Sequence, residues 1–222
     1  MKRTIAVLST VLVFAAWAQP ASGAVGRVSP AASFKGHDLA SWQRSYMSWV
    51  LGSAESPVVA GGCGAVVDGV FFLAPAAVPG TTEVECDIPT GMPILVLAGV
   101  AFSEIPTWGD TDAAVLADAR ATWSNVTGTS VTLDGRSVSL EGTYREGGVY
   151  DVPIEVGSVF DVQCEGVPAP CKVDFQPPGP VRVATVGQFV VLRPLPPGTH
   201  HIVAETDIFG AQLILSATVH VR

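Results

Sequence analysis

The sequence predicts a mainly β protein, an antiparallel β-sandwich-like domain with two short helices at residues 38–52 and 111–124. Three observations point there. The chain of 222 residues is 48% hydrophobic and only 14% charged, which leaves little material for long solvated helices. It holds 23 Gly and 17 Pro, the composition of many short strands joined by tight turns. Asp-Gly pairs at 68–69 and 134–135 stand between apolar runs, the pattern of two-residue hairpins.

The elements follow in order. Lys2 and Arg3 form a charged start, and Ile5 to Ala16 form an apolar run of roughly a dozen residues, too short to span a bilayer comfortably. Small residues follow, as Ala16-Trp17-Ala18 before Gln19 and as Ser22-Gly23-Ala24 before Val25. The later site is preferred, so residues 1–24 read as a signal peptide and residues 25–222 as a single β-rich domain, with any subdivision near 125–130. Cleavage removes two basic residues and moves the formal charge from -8 to -10. So acidic a protein is a poor partner for nucleic acid or an anionic membrane surface.

Leu39, Trp42, Tyr46 and Trp49 recur at helical spacing between Asp38, placed to cap the first turn, and Gly52, placed to end the helix in a left-handed conformation. The aromatic stripe reads as core packing against a sheet rather than as a sugar platform. Residues 65–74 read as a hairpin about Asp68-Gly69, and Thr82 to Ile88 and Pro93 to Phe102 as strands. Within the latter, Ile94 to Ala98 has no polar alternation, which predicts a central strand buried on both faces. Asp110 or Thr111 would cap the helix that carries Val115, Leu116, Ala119 and Trp123. From Thr129 onward only strands and turns are expected: a hairpin about Asp134-Gly135, then 148–156, 159–163, 181–192, 200–205 and 211–221.

Four cysteines in an exported chain make two disulfides most economically. Three pairings are formally open. Closeness in sequence favours Cys63 with Cys86 and Cys164 with Cys171, and neither interval has zinc-ligand spacing.

Several pieces, taken together, resemble a family of uncharacterised exported bacterial proteins with an aromatic-rich N-terminal helix, a cysteine pair and a Pro-Gly-Thr-His hairpin near the C-terminus. They are the helix ending in Trp49, Gly62-Cys63-Gly64, Val70-Phe71-Phe72-Leu73-Ala74, Cys86-Asp87-Ile88-Pro89-Thr90-Gly91 and Ile94 to Ala98. Leu133-Asp134-Gly135, Gly187 to Leu195, Leu195-Pro196-Pro197-Gly198-Thr199-His200 and Val219 to Val221 complete the set. The resemblance implies a secreted β-sandwich-like domain with a Cys63–Cys86 disulfide, and no activity. This chain departs from it in having fewer polar residues after Leu97, where similar proteins carry Asn, which argues against a polar site near that strand end.

No G-x-S-x-G elbow, H-E-x-x-H, P-loop or Rossmann fingerprint is present, so the common enzyme classes lose support. Dispersed carboxylates leave little trace in a sequence. Glu104 and Asp110, flanking Trp108, are the acidic pair nearest an aromatic, and these three are the candidate ligand contacts. Asp110, Asp112 and Asp118 lack the glycine turn and closing glutamate of a calcium loop, and on a strand His200 and His201 would point to opposite faces. No cofactor, metal or catalytic residue is expected. The expected role is a non-catalytic binding or interaction module of the cell envelope or exterior, its partner an envelope polysaccharide or another surface protein. The alternative is a polysaccharide hydrolase working through dispersed carboxylates.

Overall fold

The computed structural model describes residues 26–27, 33–162 and 179–222. Cys164, Cys171 and residues 1–24 lie outside the described residues, as do Pro177 and Pro178. The protein is mainly β. Helix α1 spans Leu39–Gly52, α2 Pro57–Ala60, α3 Asp112–Trp123 and α4 Val159–Val162. Strands β1 to β5 span Gly64–Val67, Val70–Leu73, Gly80–Ile88, Ile94–Glu104 and Val126–Leu133. Strands β6 to β10 span Arg136–Ser137, Tyr144–Pro153, Pro180–Leu192, Gly198–Ile208 and Ala211–Val221.

These strands make two five-stranded sheets, ordered β1-β2-β4-β8-β7 and β3-β10-β9-β5-β6. Pairing is antiparallel except for β2 with β4 and β3 with β10, which run parallel. Both sheets draw strands from both sides of residue 125. Their inner faces share one core, in which Phe71, Leu73, Ile94, Val96, Val190 and Leu192 of the first sheet meet Ile88, Val131, Ile202, Leu215, Ala217 and Val219 of the second.

The outer face of the first sheet is also covered. There Phe72, Leu95, Val183 and Phe189 pack against Trp42, Tyr46, Met47 and Val50 of α1. Further along, Val115 and Ala119 of α3 lie on Ala101, Ala184 and Val186. The arrangement is therefore helices, sheet, sheet. It explains why Ile94 to Ala98 lacks alternation: β4 is the middle strand of a sheet buried on both sides.

Local chemistry sets the helix ends. The Asp38 carboxylate accepts a 2.7 Å bond from Ser41 N, which holds its pKa below the ordinary carboxyl value. The Trp42 indole donates to Phe34 O, and the Tyr46 hydroxyl donates to Leu73 O at 2.7 Å, tying α1 to the end of β2. Gly52 differs from expectation. It is the last helical residue without a left-handed φ, and Ser53 follows it in extended conformation. A Cβ there would sit 2.1 Å from Pro153 O, so glycine serves a close helix–strand approach. Thr111, not Asp110, caps α3, accepting from Ala114 N.

Both Asp-Gly turns have positive φ at each position, Asp68 at 48° with Gly69 at 71° and Asp134 at 51° with Gly135 at 72°, as type I′ hairpins require. The strand expected at 159–163 is instead the single helical turn α4, beginning at Val159 after Ser158, whose backbone N–H bonds to Glu155 O. Cys63 and Cys86 form a disulfide with Cα atoms 5.5 Å apart. Cys86 belongs to β3 and Cys63 directly precedes β1, so the bond links the two sheets.

Candidate functional site

Strand β4 outruns the sandwich. Its last residues, Phe102 to Glu104, extend beneath α3, and the chain then turns so that Trp108 N bonds to Glu104 O at 3.0 Å. Alternation along the strand divides the three side chains. Ser103 donates to Asp118 Oδ2 of α3 at 2.6 Å. Phe102 and Glu104 face the other way and line a cavity of about 330 Å³ together with Trp108, Asp118, Thr122 and Phe209.

The cavity is graded from buried to exposed. Glu104 is 1% exposed; among the described residues neither carboxyl oxygen makes a well-formed hydrogen bond, although the Thr107 and Trp108 side chains stand close enough to act on it. Trp108 is 56% exposed and Phe209 68%. Desolvation pushes the Glu104 pKa up, the polar groups of Thr107 and Trp108 offset that only in part, and the charge of Asp118 adds to the rise. A carboxyl held neutral here both donates and accepts hydrogen bonds; once ionised it is an acceptor only, with a charge to neutralise. Among the described residues no Lys, Arg or His lines the cavity.

Phe209 comes from elsewhere in the chain. It is the first turn residue between β9 and β10, with φ 51°, followed by Gly210 at 75°. Asn, Asp and Gly favour that left-handed position, and a bulky aromatic there costs conformational energy and buries little. An aromatic in that conformation is unusual, and it stands 68% exposed at the cavity mouth.

The structure thus brings together two of the three residues named from the sequence. Glu104 and Trp108 share the cavity, whereas Asp110 is exposed outside it and Asp118 stands in its place. The end of β4 is polar and buried despite the apolar run before it. Phe102, Thr122 and Phe209 were not legible as site residues. For Phe209 a signal existed in Ile208-Phe209-Gly210-Ala211, a two-residue turn with an aromatic where Asn or Asp is usual.

Other features belong to the fold. His200 and His201 do point apart: His200 approaches Asp134 and Pro196 O at 2.9 Å each, and His201 lies 3.1 Å from Ser216 Oγ on a different cavity. Arg182 bridges Asp112 at 2.6 Å and Asp151 at 3.0 Å, which pins the start of α3 to the β7–β8 edge. A second cavity, of about 290 Å³, is almost wholly apolar and adjoins the first across Phe102. Among the described residues no group of three or more His, Cys, Asp or Glu side chains is placed to hold a metal ion, and no helix is long and apolar enough to cross a membrane. No protein-family model matches the chain, and it has no match among the curated proteins or the solved structures.

Proposed function

We propose that the protein is a secreted or cell-envelope binding module whose ligand seats in the cavity beside Trp108. A cleaved signal peptide at residues 1–24 would deliver it, and the Cys63–Cys86 disulfide suits an oxidising compartment. One observation carries the reading. Two strongly exposed aromatics, one of them at a left-handed turn position, share a cavity with a buried carboxyl that among the described residues makes no well-formed hydrogen bond. Unpaired buried polar atoms are costly, and a ligand that pairs them recovers that cost on binding. Loops and turns held by a rigid sandwich are also where binding residues concentrate.

Thermal unfolding of the oxidised mature protein against envelope oligosaccharides, small metabolites and divalent cations tests this. A saturable rise in Tm with one ligand class, lost in Trp108→Ala, is the expected result, because a ligand specific for the folded state stabilises it. A flat response across the panel counts against it.

A second reading rests on the same cavity. A glutamic acid with raised pKa paired with a second carboxyl group is how polysaccharide hydrolases arrange a general acid and its partner. Against it, the Asp118 oxygen nearest Ser103 is already hydrogen-bonded. Product formation from an envelope polysaccharide, abolished by Glu104→Gln, would favour this reading, and binding without turnover favours the first.

A further inference from the structure

We infer that the ligand of this cavity is a small organic cation, an ammonium group with an apolar skirt, held by the faces of Trp108, Phe209 and Phe102 and neutralised by Glu104 and Asp118. The inference deepens the binding role proposed above and depends on it.

The lining chemistry sets the sign of the charge. Three of the six lining residues are aromatic, two are acidic, one is a threonine, and none is basic. An anion would meet two carboxyl groups and no counter-charge. A neutral ligand could stack on the rings and bond to Glu104, but it brings no counter-charge to two acids that share the cavity, one of which keeps a second oxygen beyond its bond to Ser103. A cation uses both. The face of an aromatic ring is electron-rich and attracts a cation, most strongly where water is thinned, and an ammonium carrying methyl groups also fills apolar volume.

Glu104 supplies an independent indication. It is 1% exposed and among the described residues it has no ion-pair partner and no hydrogen bond better than the loose approach of Thr107 and Trp108, whereas the other acids near α3 are engaged: Asp118 through one oxygen with Ser103, Asp112 with Arg182 and Glu146 with Arg120. Arg182 passes next to this strand end, its carbonyl accepting from Ile105 N, yet its guanidinium turns to Asp112 and Asp151 and leaves Glu104 without a counter-ion among the described residues. The missing partner of Glu104 is a positive charge. With a formal net charge of -8, the whole molecule also draws cations toward its surface.

The test is calorimetric titration at low salt and pH 8 with choline, with its uncharged isostere 3,3-dimethylbutan-1-ol, and with a neutral oligosaccharide. Choline is expected to bind saturably and at least about tenfold more tightly than the isostere. Trp108→Ala and Glu104→Gln should each weaken choline by about tenfold, with Glu104→Gln leaving the isostere unchanged, and melting curves would confirm that both variants fold. If the isostere binds as well as choline, or only the oligosaccharide binds, and Trp108→Ala abolishes that binding, the cavity is a binding site and the cation inference is overturned. If choline does not bind and Trp108→Ala alters no titration, the inference and the site on which it rests fall together.

Discussion

His200 ties the start of β9 to the β5–β6 turn, and both atoms it approaches, Asp134 Oδ2 and Pro196 O, accept hydrogen bonds. Only the doubly protonated ring satisfies both at once. Burial works to lower its pKa, but the bonds to Asp134 and Pro196 outweigh it and the net shift is upward. A histidine with pKa raised on folding adds stability that is present below its ordinary value of about 6.5 and is lost as pH climbs through the folded value. Tm should therefore fall from pH 6 to 8 more steeply in the parent than in His200→Gln, and equal slopes in a calorimetric pH series would remove the latch from the account. Glu104 behaves in the opposite sense. Its raised pKa means that the unfolded chain ionises first, so above about pH 4.3 the residue costs stability. Glu104→Gln should match the parent near pH 4 and gain in Tm over it as pH rises, which would show a residue kept at a cost to the fold.

At the scale of elements, α1 was legible because its aromatic stripe has a helical period and a cap, and β4 because a short, β-branched apolar run without alternation, bounded by turn residues, suits a strand covered on both faces. Misreadings came where one local signal has two physical meanings. Gly52 has the place of a left-handed helix end but answers to Pro153 O, so Gly52→Ala should destabilise by about 1–3 kcal/mol in chemical unfolding, against the gain that alanine usually brings to a helix. A neutral or stabilising result would show that β7 can give way. Val159-Phe160-Asp161-Val162 is rich in the β-branched and aromatic residues that strands favour, yet it forms one helical turn after the turn at Glu155 to Ser158. The disulfide closes a loop with a sequence separation of 23. Replacing Cys63 and Cys86 by serine should cost about 3.5 kcal/mol on the loop-entropy account, measured by urea unfolding, and a loss under about 1 kcal/mol would mean that packing already holds the two sheets together.

Across the whole molecule, composition and turn signals revealed a mainly β fold, but not which strands are neighbours. The parallel pairs β2–β4 and β3–β10 are not hairpins, and no local residue pattern announces them. The cavity escaped for the same reason: Phe209 reaches Glu104 only through the stacking of the two sheets. Order within the sheets predicts a gradient of amide exchange, since β4 and β8 are flanked on both edges and covered on both faces, while β1 and β6 are edge strands. Mass-spectrometric exchange should find β4 and β8 slowest, and faster exchange there than in β1 would contradict this layering. The place of β3 carries a further consequence, one that concerns how the chain is made. Among the described residues β3, at residues 80–88, pairs with no strand but β10, at residues 211–221. While a ribosome synthesises residues 89–210, that backbone edge has nothing to bond, and the second sheet cannot close. Until β10 is made, only the Cys63–Cys86 bond can tether β3 to the first sheet, and closing that bond needs an oxidant that takes up two electrons as the two thiols lose their protons.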